Sequence, residues 1–154
     1  MRSRLLAAIL AAVGLGTAAT AVAASAGHPA PRAAAHAERV VTHSSKYGTV
    51  IFTGRHRSIY LFQRDRGGKP SCYGACAKAW PPVLTKGKAV AGPGVRAKLL
   101  GTVRRKNGSL QVTYGGHPLY GFAKDKKSWQ ITCQNVSNFG GKWLVVDPAG
   151  KAVR

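Results

Sequence analysis

The sequence predicts a mainly β fold: a small single domain of two pseudo-repeated β-hairpin units with one short helix around Cys72–Trp80. Three observations lead there. From Lys46 onward, short apolar-aromatic runs alternate with Gly, Pro, Asn and Asp, the texture of strands separated by turns. Ile59-Tyr60-Leu61-Phe62-Gln63-Arg64-Asp65 lines up with Leu119-Tyr120-Gly121-Phe122-Ala123-Lys124-Asp125 at an offset of 60 residues, with apolar, Tyr, Phe and Asp positions in register. Only Cys72–Trp80 reads as helical, and Pro81-Pro82 ends it, because proline has no N–H for the next helical bond.

Taken in order, the chain opens with Arg2 and Arg4, then the apolar run Leu5 to Gly16 and an Ala-rich stretch to Ala26. Small residues at Ala24 and Ala26 (or Ala21 and Ala23) fit the rule for signal peptidase. A signal peptide is expected over residues 1–26, with cleavage before Gly27. An uncleaved anchor is the alternative, since about 20 apolar residues can span a bilayer. Alanine dominates the stretch, however, and no basic stop-transfer cluster follows it. Residues 27–45 are Pro/Ala-rich at their start and lack a clear period, which predicts a flexible tether.

The domain is expected over residues 46–154, repeat one at about 46–92 and repeat two at about 97–154. Strands are expected at Thr49–Thr53, Ser58–Phe62, Leu99–Val103, Leu110–Tyr114 and Trp143–Val146, bounded by Gly67-Gly68, Asn107-Gly108 and Gly115-Gly116. Asn107-Gly108 suits a type I′ hairpin turn, which needs positive φ at both central residues. Each unit closes on a tryptophan, Trp80-Pro81-Pro82-Val83 and Trp143-Leu144-Val145-Val146. Two copies are few for a solenoid, so a closed pseudo-symmetric domain is expected. Tyr60, Phe62, Trp80, Tyr120, Phe122 and Trp143 are then its aromatic core, as a domain this small requires.

Charge narrows the function classes. Against 24 Lys and Arg stand four acids, Glu38, Asp65, Asp125 and Asp147, for a formal net charge of +20. Such a chain is drawn to polyanions, which outside the cytoplasm means wall polymers, anionic membrane surface or released DNA. The basic patch comprises Arg55, Arg57, Arg64 and Arg66 around the first motif, and Lys124, Lys126 and Lys127 around the second. Arg104, Arg105 and Lys106 complete it at a hairpin tip. Salt-sensitive DNA binding in vitro is expected, but the motifs of sequence-specific nucleic-acid recognition are missing. Acids this sparse also argue against a glycosidase, which needs two carboxyls flanking one bond. Asp65 and Asp125 each end a strand before a turn, where a carboxylate accepts backbone N–H bonds; a pair of ligand-binding acids in a shared groove is the functional alternative.

Cys72 and Cys76 are four residues apart, neighbours on one helix face. A disulfide is the default in an oxidising compartment, although a regular helix holds them at the far end of disulfide spacing and the turn should be distorted. A redox-active or metal-binding pair remains open. Cys133 is the odd thiol: buried and reduced, paired instead with Cys72 or Cys76, or bridging two molecules. His28, His36, His43, His56 and His117 show no ligand spacing, and Gly92-Pro93-Gly94 lacks the Lys-Ser/Thr of a phosphate loop. No metal, cofactor or catalytic residue is expected.

The motifs Tyr60-x-Phe62-x-x-Asp65, Ser71-Cys72-x-Gly74-x-Cys76-Ala77-x-x-Trp80-Pro81-Pro82, Tyr114-Gly115-Gly116-x-Pro118-Leu119-Tyr120 and Gly140-Gly141-x-Trp143 together resemble the bacterial secreted-repeat family of unknown function. That family is also described as predicted lipoproteins with a Y-x-(F/W/Y)-x-x-D motif. The resemblance, from about Tyr47 to Val153, implies an exported domain and no particular reaction. Two departures matter. Many members carry a lipobox Cys after the signal, whereas here no Cys precedes Cys72; and Thr53-Gly54-Arg55-His56-Arg57 replaces the family's acidic turn before the first Tyr motif. The functional expectation is a non-enzymatic envelope or extracellular binding module for anionic wall polymers or membrane surface, not lipid-anchored. The alternative is a small redox or electron-transfer accessory using Cys72 and Cys76.

Overall fold

The computed structural model describes residues 37–154; the expected signal peptide and the first part of the expected tether lie outside them. The fold is mainly β, with two sheets and one short helix. β1 (Arg39–Ser45) and β2 (Gly48–Thr53) form an antiparallel hairpin, and β5 (Val90–Ala91) joins the free edge of β1 in parallel.

β1 corrects the expected domain start at residue 46. The tether reading rested on the Pro/Ala texture before it, but Val40-Val41-Thr42 is a β-branched run of the kind that packs on a pleated surface. Val40 is fully buried.

The second sheet holds β4 (Leu84–Thr85), β7 (Leu110–Tyr114), β8 (His117–Tyr120), β3 (Tyr60–Phe62), β10 (Gly141–Val145) and β9 (Val136–Asn138) in that order. β6 (Leu100–Arg104) lies on the far edge of β7. Helix α1 is shorter than expected, Ala75–Ala79. The β6–β7 turn also differs from expectation. Arg105 N bonds Ser109 O, Gly108 N bonds Arg105 O, and only Gly108 of the pair has positive φ (83°). That is a three-residue loop with a bulge glycine rather than a type I′ turn.

The repeat is visible as a local two-fold axis. β3 and β8 pair antiparallel with Tyr60 opposite Tyr120 and Leu61 opposite Leu119, a register that the 60-residue offset maps onto itself. Around that axis the β1–β2 hairpin corresponds to β6–β7. Ile51 N bonds Val146 O at 2.9 Å, and its counterpart Val112 N bonds Val83 O at 2.8 Å. Alternation along the strands then gives two cores, since successive side chains leave opposite faces of a strand. Ile59, Leu61, Val112, Leu119, Leu144 and Val146 build an aliphatic cluster, and Tyr60, Phe62, Trp80, Tyr120 and Trp143 an aromatic one.

Candidate functional site

The recurring tyrosines and aspartates meet crosswise. Tyr60 of the first unit donates its hydroxyl to Asp125 Oδ2 of the second at 2.6 Å, and Tyr120 donates to Asp65 Oδ2 at 2.9 Å. Each carboxylate is also held from its own unit: Asp65 Oδ1 accepts Ser71 N and Ser71 Oγ, both at 2.7 Å, and Asp125 accepts Thr132 Oγ1 at 2.5 Å. Asp125 takes a second bond across the axis, from Ser58 Oγ of the first unit at 2.5 Å. The sequence signal for these acids was turn capping. Ser71 N supplies that bond to Asp65, but the dominant role is a pair of clasps locking one unit to the other. Asp125 is buried (4% exposed), whereas Asp65 is half-buried.

Behind the clasps the aromatic residues stack in one column, Phe62 on Trp143 at 4.1 Å, Trp143 on Trp80 at 3.9 Å and Trp80 on Phe122 at 4.5 Å. Members of the two units alternate along it. Tyr60 meets Trp80 edge-on, and Tyr120 meets Trp143 edge-on, both at 5.3 Å, a geometry in which the positive ring edge meets a negative ring face. Phe122 keeps partial exposure at the end of the column.

Cys72 and Cys76 form a disulfide, with a Cα separation of 5.3 Å. Cys72 precedes the first turn of α1 rather than sitting within it. Both sulfurs belong to the aromatic cluster, and Cys72 is fully inaccessible. Cys133, one residue off the offset from Cys72, is a half-buried free thiol whose pKa burial pushes up.

Arg105 corrects the expected basic patch. It is buried (5% exposed), donating from Nη1 to Gln111 Oε1 at 2.5 Å and from Nη2 to Cys72 O at 2.7 Å, with its guanidinium 4.3 Å over the Tyr73 ring. It ties the disulfide segment to β7 and presents no charge to a partner. Its neighbours Arg104 and Lys106 are exposed, as are Arg55, Arg57, Arg64, Arg66, Lys124, Lys126 and Lys127.

The exposed cations are sorted differently from their order in the chain. Arg64 and Arg66 line a groove of about 740 Å³ with His117, Lys151 and Arg154. Arg55 and Arg57 cross to the second motif and line a groove of about 330 Å³ beside Asp125 and Lys126. Sequence proximity therefore misassigned Arg55 and Arg57, because β3 turns back between them and the first motif's aspartate. Gly141 in the wall of the large groove is required by close packing: a Cβ there would lie 2.7 Å from the Phe62 ring.

Sequence reasoning also missed Trp129. It is sandwiched between His43, at 3.9 Å, and His56, at 4.1 Å, with Phe52 edge-on at 5.1 Å. Its only local signal was an aromatic residue in a polar loop. Neither histidine belongs to a convergent ligand set, and among the described residues no three His, Cys, Asp or Glu side chains come together as one.

The buried hydroxyls predict an alkaline limit to stability. Burial raises the pKa of both Tyr60 and Tyr120, reinforced at Tyr60 by its hydrogen bond to Asp125 and at Tyr120 by the charge of Asp65. Unfolded tyrosine ionises near pH 10, so the stability these groups contribute is complete below that pH and is lost as pH rises through the folded values. Burial also raises the pKa of Asp65 and Glu38. Their contribution is fullest below the unfolded values of 3.8 and 4.5 and falls as pH rises through the folded ones. Melting temperature should therefore drop above pH 10, earlier for the native chain than for Tyr60→Phe. A melt unchanged to about pH 12 would overturn this linkage.

A family model described as a secreted repeat of unknown function matches residues 41–84 and 101–147, one tract for each unit of the fold. No curated protein and no solved structure matches the chain.

Proposed function

The chain belongs to this family of secreted repeats of unknown function, and from that premise we propose that it is a non-enzymatic binding module of the bacterial envelope or extracellular space, associating through charge with anionic wall polymers or membrane surface. One observation carries the reading: the carboxylates are engaged inside the domain and leave the surface cations uncompensated. Asp65 and Asp125 sit in the clasps, Asp147 accepts Ala149 N and Lys151 N in its own turn, and Glu38 accepts Gly54 N. With a formal net charge of +20 for the full chain, or +18 once Arg2 and Arg4 leave with residues 1–26, the outward field is positive, and such a field concentrates polyanions at the surface. Export by signal-peptide cleavage before Gly27, without a lipid anchor, is part of the proposal. The burial of Cys72 beneath the aromatic column favours a structural disulfide over the redox alternative, since exchange needs an accessible sulfur.

The test is retention on an immobilised anionic polymer as salt is varied. Retention at 50 mM salt that declines linearly in log–log form, at about 0.7–0.9 of slope per ionic contact, is expected. A chain that passes through unretained at low salt would remove the reading. Intact mass of the native secreted protein should begin at Gly27 and be 2 Da below the reduced value, for one disulfide.

A further inference from the structure

Two of the basic grooves are the same site twice; another, of about 880 Å³ beside Arg39, Lys86 and Arg104, has no counterpart across the axis and shares Arg55 with the smaller of the pair. Under the 60-residue offset that relates the units, Phe62 of the large groove corresponds to Phe122 of the small one, Asp65 to Asp125, Arg66 to Lys126, and His117 to Arg57. The correspondence is a consequence of the clasps. Each groove opens beside a Y-x-F-x-x-D aspartate whose oxygens are taken by hydroxyl donors. A cation two-fold related to another cation therefore flanks each engaged carboxylate. The grooves differ in strength. Arg64, Arg66, Lys151 and Arg154 all serve the large one, while Pro81 and Pro82 narrow the small one, and Glu38 faces its Arg55.

From this geometry we infer that the domain is a bivalent receptor for a linear polymer of closely spaced phosphate groups, one run of phosphates lying in each groove. The inference rests on the charge-driven reading above and names its ligand and site. Guanidinium groups favour phosphate, since their forked N–H donors match its oxygens in pairs. Arg64 Nη1 donates to Phe139 O, and Arg66 Nη1 donates to Gln63 O and, more weakly, to Asp65 O, which orients each fork and leaves its other donors free. A concave groove also suits a thin chain rather than a planar membrane, which would meet only the rims. One chain spanning both grooves gains the effective-concentration advantage of an intramolecular second contact, about 10²–10⁴-fold.

The test uses the secreted chain with tripolyphosphate, long-chain polyphosphate, polyglutamate and anionic phosphatidylglycerol vesicles as probes. Three variants remove equal charge: Arg64→Gln/Arg66→Gln/Lys151→Gln in the large groove, Arg55→Gln/Arg57→Gln/Lys126→Gln in the small one, and Lys88→Gln/Arg96→Gln/Lys98→Gln, exposed cations that line neither. The circular-dichroism couplet of the stacked Trp80–Trp143 pair reports that each variant is folded. Calorimetry should count two tripolyphosphates per native chain and one per chain in either groove variant. Long-chain polyphosphate should lose about 100-fold in affinity in either groove variant, its salt slope falling by about 2 for three cations. The remote variant should change affinity less than about 5-fold, because exposed charges more than a Debye length from the bound chain are largely screened. Equal losses in all three variants would overturn the bivalent site while leaving charge-driven binding intact. Absence of native binding to any polyanion at low salt would overturn both. Polyglutamate bound as tightly as polyphosphate, or vesicle binding that depends on the grooves as strongly, would overturn the phosphate-polymer assignment.

Discussion

Replacing Asp125 by alanine is expected to lower folding stability by about 3–5 kcal/mol, whereas Asp65→Ala should cost about 1–2 kcal/mol. The difference follows from what is left behind. Three hydroxyls converge on Asp125, and two of them, Ser58 Oγ and Tyr60 OH, are buried with the carboxylate. Without it they lose their acceptor in a place water does not reach, at about 1–3 kcal/mol each. Thr132 is exposed and turns to solvent. At Asp65 the Ser71 donors are exposed, and Tyr120 OH is the one buried hydroxyl that loses its acceptor, against two at Asp125. Against a total stability of about 5–15 kcal/mol, the first loss removes a large share of the folded population and the second does not. Chemical denaturation of both variants measures the contrast. A cycle with Tyr60→Phe should return a coupling of about 1–3 kcal/mol for the Tyr60–Asp125 pair. Equal costs at the two aspartates would mean that the clasps are interchangeable and that burial does not decide their strength.

The same pair explains how far the sequence could be read. The offset of 60 residues between the two motifs is legible because it compares short local strings. It correctly delivers a mainly β domain of two units, the strands β2, β3, β6, β7 and β10, and an aromatic core. What the strings do not encode is which Tyr closes on which Asp. That partner lies 65 residues away for Tyr60 and 55 for Tyr120, set by the β3–β8 register rather than by neighbours in sequence. Local texture misled in the other direction at β1, where alanine and proline upstream masked a β-branched strand. It misled again at Arg105, which shares a basic tripeptide with Arg104 and Lys106 but whose side chain folds under β7 onto Gln111 and the Cys72 carbonyl. Charge is additive in a composition, whereas burial of a charge depends on a specific acceptor. The grooves are a third case. Lys151 and Arg154 lie outside the basic patch that the sequence marks, and Arg55 and Arg57 join the second motif rather than the first because the chain reverses at β3.

Truncating Trp143 to alanine should cost about 4 kcal/mol or more, in the range of large aromatic deletions from a packed core, and the more informative substitution is phenylalanine. Trp143 and Trp80 are two-fold mates, both fully buried and stacked on each other at 3.9 Å. Their indole N–H groups are not equivalent. Trp143 Nε1 donates to Asn138 O at 3.2 Å, while Trp80 Nε1 is buried without a partner in the protein. Phenylalanine at either position removes similar ring area. At 143 it also breaks a hydrogen bond to Asn138 O; at 80 it removes a donor that folding had already stripped of water. Trp143→Phe should therefore be the more destabilising of the two by about 1 kcal/mol or more, measured by denaturant midpoint at unchanged slope. If Trp80→Phe proved the costlier, the unpartnered indole would have to be bonded in solution, and the asymmetry between the two units would lie in ring packing alone. With the expected order, the asymmetry belongs to the segment after each motif: the first unit places a disulfide-closed helix where the second places the Val136–Asn138 strand, and only the strand offers an indole its acceptor.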